Sequence, residues 1–104
     1  MGVEVTNDEA GARFVVTVDG AEAGLAAYRS KPGLRVFTHT EIDDAYEGQG
    51  LGSTLVSAAL DATRAAGLAV EPTCPFVRRY IERHLEYLDL VPASLRDRYG
   101  LDAA

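Results

Sequence analysis

Through the first 45 or so residues, hydrophobic and polar positions alternate with the period of two that marks strands. Val3-Glu4-Val5-Thr6 reads as a short first strand, followed by a polar turn through Asn7-Asp8-Glu9. Arg13 to Val18 is a second strand. Asp19-Gly20 is a hairpin signal ahead of an Ala-rich third strand from Ala21 to Arg29. Lys31-Pro32-Gly33 breaks the run. Leu34 to Ile42 is the fourth strand. Strict alternation puts Leu34, Val36, Thr38, Thr40 and Ile42 on one face, and Arg35, Phe37, His39 and Glu41 on the other. The period then lengthens to that of a helix. Leu51, Leu55, Ala59 and Ala62 form an apolar stripe running to about Ala66, and Gly67 suits the position just past a helix end. Leu68-Ala69-Val70 is a short fifth strand closed by Glu71-Pro72. A second helix begins near Pro75, with Val77, Ile81, Leu85 and Leu88 along one side and Phe76 and Tyr80 beside them. Pro92 opens a short, polar C-terminal helix or tail. The order ββββ-α-β-α predicts an α/β (α+β) domain on a mixed, mostly antiparallel sheet.

A chain of 104 residues fits one domain. No repeat, low-complexity tract or linker divides it, so residues 1–104 are expected to form a single unit. Its core spans about residues 3–90, and 91–104 form the C-terminal helix or tail. Hydrophobic residues are 47% and charged residues 25%, the usage of a folded chain rather than a disordered one. No apolar run approaches the ~18 residues of a membrane span, and no secretory signal opens the chain, so no membrane partner is expected. Ten Lys and Arg against sixteen Asp and Glu give a net charge of −6, without the basic stripe that phosphate neutralisation requires. Nucleic acid is therefore not an expected partner. The single cysteine, Cys74, excludes an internal disulfide and a multi-cysteine zinc site. Two histidines and scattered carboxylates make no metal motif, and the expected compartment is the cytoplasm.

Candidate chemistry centres on Glu47-Gly48-Gln49-Gly50-Leu51-Gly52-Ser53, between the fourth strand and the first helix. Glycines at alternate positions allow close approach of backbone to ligand. The N–H groups of Gly50, Leu51 and Gly52 would lack intrahelical partners, which suits a phosphate or pyrophosphate. No Gly-Lys-Ser/Thr follows, so this is not a P-loop, and Ser53 stands where a dinucleotide fingerprint has its third glycine. A glycine-rich turn without a ligand is the plain alternative. Between Arg35 and Arg64 the chain has no Lys or Arg, so cations for an anion would come from Arg78 and Arg79, whose alternative role is a solvated helix face. Cys74, in Pro-Thr-Cys-Pro ahead of the second helix, is either a thiol activated by the helix dipole or a small buried hydrophobe. His39 and Glu41 share a face and are candidates for proton transfer, or an ordinary exposed pair.

The stretch Tyr46-Glu47-Gly48-Gln49-Gly50-Leu51-Gly52-Ser53 resembles the acetyl-CoA motif of the GCN5-related N-acetyltransferases, whose loop runs Arg/Gln-x-x-Gly-x-Gly/Ala. Together with His39-Thr40-Glu41-Ile42 before it and Pro72-Thr73-Cys74-Pro75-Phe76-Val77-Arg78-Arg79 after it, the chain is similar to the minimal stand-alone subfamily over about residues 3–90. The resemblance implies an acyl-CoA-dependent N-acetyltransferase, with acetyl-CoA as co-substrate in a cleft between strands four and five and an unidentified amine as acceptor. It implies that loop amides from Gln49 to Ser53, with Gly48, hold the pyrophosphate. The backbone of Glu41 and Ile42 would bind the pantetheine, and Cys74, Pro75, Phe76, Arg78 and Arg79 would complete the cofactor site. Cys74, His39 and Glu41 are the catalytic candidates, for direct transfer or for a route through an acylated Cys74. Glu47 departs from the motif, where the family has Arg or Gln. A non-catalytic CoA-binding module and a protein-interaction domain are the alternatives of a different class.

Overall fold

The computed structural model describes residues 2–101; Met1 and residues 102–104 of the expected C-terminal tail lie outside the described residues. Five strands, β1 (Val3–Asp8), β2 (Arg13–Val18), β3 (Ala21–Lys31), β4 (Leu34–Ile42) and β5 (Ala69–Pro72), form one sheet in the order β1-β2-β3-β4-β5. Every pairing is antiparallel except β4 with β5. That exception follows from helix α1 (Leu51–Ala65), which carries the chain back so that β5 runs alongside β4. Helix α2 (Pro75–Arg83), a 3₁₀ segment over Leu85–Leu90 and the short helix α3 (Ala93–Arg96) complete the chain. The expected α/β class, element order and mostly antiparallel mixed sheet are therefore observed.

One core joins sheet and helices. Phe14, Tyr28 and Phe37 form an aromatic cluster with ring centroids 5.4–6.1 Å apart, and the same core takes in Leu55, Val56, Ala59 and Leu60 of α1 and Val77 and Ile81 of α2. Burying each Val, Leu, Ile or Phe among these stabilises the fold by roughly 1.5–3 kcal/mol. Gly67, at φ 72, ends α1 in the left-handed conformation that a glycine adopts without strain. Among the described residues no helix is long and apolar enough to cross a membrane.

Three local features depart from the sequence expectation. Thr38 is an extra residue in β4: Tyr28 pairs with Phe37 and Ala27 with His39, which makes a β-bulge. Alternation resets there, so Thr40 and Ile42 share the helix-covered face with Phe37, while His39 and Glu41 take the other. The second helix ends at Arg83, because His84 leaves the helical region at φ −133, ψ 77. Leu85 is then 61% exposed instead of continuing the stripe, and Tyr87 and Leu90 are buried in its place. Finally, the packed core does not stop at residue 90: Val91 and Leu101 are both buried within it.

Candidate functional site

The parallel pairing of β4 and β5 runs from Leu34↔Ala69 to Phe37↔Pro72 and stops. Pro72 has no N–H to continue a ladder. The carbonyl of Phe37 closes the junction by accepting from the Thr73 hydroxyl at 2.8 Å and the Cys74 N–H at 2.9 Å. Beyond it the two segments part, and among the described residues β4 has no strand partner on that side. The bulge decides which groups face the opening. Before it, the Gly33 and Phe37 carbonyls point to the β5 side; after it, the Asp43 N–H points to Ala23 of β3. Alternation then turns the backbone groups of Thr40 and Ile42 into the opening, and those of Glu41 toward β3. Gly24 lets β3 approach here, since a Cβ at that position would lie 2.6 Å from the Glu41 carbonyl oxygen and 2.6 Å from Ile42 Cδ1.

Cys74 sits at the N-cap of α2, where its side chain caps nothing, with Pro75 at the first helical position. It is 3% exposed, and its Sγ lies 3.3 Å from the Thr40 hydroxyl. His39 and Glu41 are neighbours as the alternation predicts, with Nε2 and Oε2 3.4 Å apart. Their side chains are 60% and 63% exposed, on the face of β4 opposite Thr40 and Cys74. The structure thus pairs Cys74 with Thr40, a residue the sequence did not single out, and His39 with Glu41. Glu41 also borders an open groove with Glu22, Asp43 and Asp44.

After β4, Asp43 accepts a bond from the Ala45 N–H at 3.0 Å and starts a 3₁₀ turn over Asp44–Tyr46. Gly48 and Gly50 follow at φ 81 and φ 73. Gly50 is the N-cap of α1, no side chain caps that end, and the turn's first backbone bond is Thr54 N–H to the Gly50 carbonyl at 3.2 Å. The N–H groups of Leu51, Gly52 and Ser53 are left without intrahelical partners. They border a groove of about 580 Å³, counting its open mouth, which Ile42, Tyr46, Glu47, Gly48 and Phe76 also line. Gln49 is exposed. Gly52 also lies close to the Phe76 ring: a Cβ there would meet Cζ, the far end of an exposed side chain, at 2.5 Å. Helical spacing brings Arg79 round to the Phe76 side, where it lines a second groove with Ser53, whereas half-buried Arg78 lies on a different face of α2. Among the described residues no group of three His, Cys, Asp or Glu side chains is placed to hold a metal.

Comparison with known proteins places this arrangement. Residues 13–90 match the family described as GCN5-related N-acetyl-transferase. Protein NATD1 of Gallus gallus is 29% identical over 93 residues, covering 83% of this chain and 84% of that protein. Protein NATD1 of Homo sapiens is 29% identical over 84 residues, covering 79% and 74%. The fold is similar to the NMR solution structure of a GCN5-like protein from Staphylococcus aureus, with TM-score 0.65, 23% identity, and 85% of this chain and 86% of that one covered. It is also similar to the crystal structure of the ribosomal-protein-S18-alanine N-acetyltransferase from Escherichia coli, with TM-score 0.53 and 22% identity over 67% of this chain and 42% of that one. The match covers three quarters of the chain, and the chain is a member of the GCN5-related N-acetyltransferase family.

Proposed function

We propose that this protein transfers an acetyl group from acetyl-CoA to an amine, in the cytoplasm. One observation carries the reading: the opening between β4 and β5 runs beside the unpartnered amides of Leu51, Gly52 and Ser53. An extended chain with amide groups and a pyrophosphate at one end meets matching groups at both places. In this reading the loop amides hold the pyrophosphate, and the Thr40 and Ile42 backbone hydrogen-bonds the pantetheine as a strand would. The thioester lies near Thr40 and Cys74. The amine nitrogen bonds to the carbonyl carbon, the C–S bond breaks and the sulfur keeps the electron pair. Glu41, His39 or a water they hold takes the proton from nitrogen, and CoA leaves as the thiolate, which takes up a proton from water to become the thiol. Because His39 and Glu41 sit on the outer face, the acceptor approaches from that side.

Direct transfer fits better than acylation of Cys74. The thiol's hydrogen-bonding neighbour is a hydroxyl, not a base, and the side chain is 3% exposed. The exposure of His39 and Glu41 favours one rival, a CoA-binding module without turnover. Melting temperature and release of free CoA, measured together with acetyl-CoA and a panel of amines, separate the readings. Stabilisation with amine-dependent release establishes the transferase. Stabilisation without release leaves the binding module. No stabilisation at millimolar acetyl-CoA sinks both and leaves a protein-interaction domain.

A further inference from the structure

Glu71 is a buried carboxylate one residue before the sheet opens, a costly group to place there. Alternation turns it to the face opposite core residue Val70, beside Val36, with which it pairs in register. A valine or threonine at such a position would pack without that cost. Three side chains from outside its own strand hold its oxygens. Oε2 accepts from the Tyr99 hydroxyl at 2.6 Å and lies 3.8 Å from Arg98, and Oε1 lies 3.7 Å from Lys31 of β3. The two cations are at least half exposed, so the Tyr99 bond is the firm one. Tyr99 is brought there by the closure of the chain after α3. Gly100, at φ 67, takes the left-handed conformation, and the N–H groups of Gly100 and Leu101 bond back to the Asp97 and Arg96 carbonyls at 3.3 and 2.8 Å. Leu101 is buried in the core, and Tyr99 packs against that core while its hydroxyl reaches Glu71 on the other face. The C-terminal segment therefore passes round the free edge of β5, which among the described residues has a strand neighbour on one side only.

What Glu71 holds follows from where it stands. Pairing with β4 ends one residue later at Pro72, which donates no hydrogen bond. The Glu71 carbonyl accepts from the Thr73 N–H at 3.2 Å, and Thr73 and Cys74 then lead along the opening into α2. The bonds to the Phe37 carbonyl tie this wall to β4, and the Glu71 side chain ties it from the free edge to the C-terminal segment. We infer that Glu71 is a positioning residue for the acetyl-CoA cleft: clamped by Tyr99, it fixes the Pro72-Thr73-Cys74 wall at the width the pantetheine arm needs. The inference rests on the acetyl-CoA reading and adds to it a residue that acts through the wall rather than by contact with the cofactor. Docking of the C-terminal segment and cofactor affinity are then linked, each favouring the other.

The test compares wild type, Glu71→Ala, Tyr99→Phe and Glu71→Gln with Val16→Ala, a core substitution three strands from β5 that controls for lost stability. Each is measured for melting temperature, for acetyl-CoA affinity by titration calorimetry, and for the rate at which iodoacetamide alkylates Cys74 without ligand. Cys74 is 3% exposed, so its alkylation reports loosening of the wall directly. Glu71→Ala and Tyr99→Phe should weaken acetyl-CoA and speed alkylation, each by at least about fivefold, the low end of coupling between linked sites. Val16→Ala, melting as low or lower, should change both less. Glu71→Gln keeps an acceptor for Tyr99 and should stay close to wild type in both. If Glu71→Ala does not fold, Tyr99→Phe carries the comparison. Wild-type affinity and alkylation in Tyr99→Phe, or changes no larger than those of Val16→Ala, overturn the inference and leave the cofactor reading standing. Failure of acetyl-CoA to bind wild type overturns the cofactor reading and the positioning role with it, whatever the alkylation rates.

Discussion

The two ends of helix α1 are built by opposite rules. At its C-terminus the polar groups are tied. Ala66, Gly67 and Leu68 N–H groups bond back to Ala62, Arg64 and Thr63 carbonyls at 3.0–3.1 Å. Arg64 grips both oxygens of Asp89 at 2.7 and 3.0 Å and the Glu86 carbonyl at 2.9 Å. The Thr63 hydroxyl accepts from Arg35 at 3.0 Å and donates to Ala59 at 2.8 Å. Arg35 Nε has no hydrogen-bond partner among the described residues, but its guanidinium lies 4.6 Å from the Tyr28 ring centroid and 5.2 Å from that of Phe14, where the ring quadrupoles offset the buried charge. At the N-terminus, by contrast, no side chain caps the helix, no acid occupies the first turn, and the preceding residue is a left-handed glycine. One end spends its polar groups on the fold, while the other keeps them for something outside it. The contrast makes a division testable: substitutions at the closed end should change stability alone, and substitutions at the open end should change ligand response alone.

The largest expected effect is at the closed end. Leu60 is fully buried in the C-terminal half of α1, and Leu60→Ala should cost ~2–5 kcal/mol of unfolding free energy through lost transfer energy and a residual cavity. Chemical denaturation measures this, and the increment of stability from acetyl-CoA should survive. Loss of that increment would mean the two ends are coupled. Next is Gly52→Asp at the open end. Wild type should gain ~2.7 kcal/mol at ligand 100-fold above Kd. The substitution places a carboxylate at the amides and pushes on Phe76, whose exposed ring has room to move. The apo-protein should melt near wild type and the ligand-induced shift should vanish. A persistent shift would show that the loop is only a turn.

The legibility of the two ends in the sequence differs for the same reason. The open end is local: glycine spacing, the strand-to-helix change of period and Pro75 after Cys74 lie within a few residues of what they shape, so loop, helix start and cleft edge were readable. The closed end depends on partners 25 or more residues away, such as Arg64 with Asp89 and Arg35 with Thr63, and alternation says nothing about those. The bulge at Thr38 escaped because strict alternation has no place for an extra residue; without it, Thr40 is not seen as the neighbour of Cys74. Periodicity places Leu85 on the same side of the second helix as Val77 and Ile81 because neither Gly nor Pro marks the helix end at His84. The tail read as polar, yet Leu101 is buried and Tyr99 donates to buried Glu71 at 2.6 Å.

A smaller effect belongs to Tyr87, whose hydroxyl donates to Asp61 of α1 at 2.8 Å. Burial, reinforced by the Asp61 carboxylate that accepts its proton, pushes this phenol up from 10.0 to about 12. A phenol with a raised pKa in the folded state stabilises the fold fully below its unfolded value, and that contribution is lost as pH climbs through the folded one. Tyr87→Phe should therefore cost ~0.5–1.5 kcal/mol at neutral pH, one hydrogen bond's net value. The deficit relative to wild type should shrink as pH rises from 10 toward 12, and urea titrations across that window measure it. A deficit constant in pH would show that the hydroxyl is solvated in solution.

The smallest expected effect turns on an acid at each end. Asp89 at the closed end is held by Arg64, which keeps its carboxyl below the usual range. Glu47 at the open end lines the groove beside the unpartnered amides and has no cation paired with it among the described residues. A pyrophosphate seated on those amides would feel Glu47 as a like charge, and Glu47→Arg turns that repulsion into attraction. Because the side chain is exposed, the gain is that of a surface contact, on the order of 0.2–1 kcal/mol, or up to about fivefold in affinity. The gain should be largest at low ionic strength and shrink as the Debye length contracts from about 30 Å at 0.01 M salt to about 8 Å at 0.15 M. Titration calorimetry with acetyl-CoA at both salt concentrations measures it, and unfolding in the absence of ligand should be unchanged. Tighter binding at low salt that fades at high salt identifies the open end as the anion seat. Affinity unchanged at both would mean that the phosphates lie away from Glu47, and the amides of α1 would need another explanation for being left open.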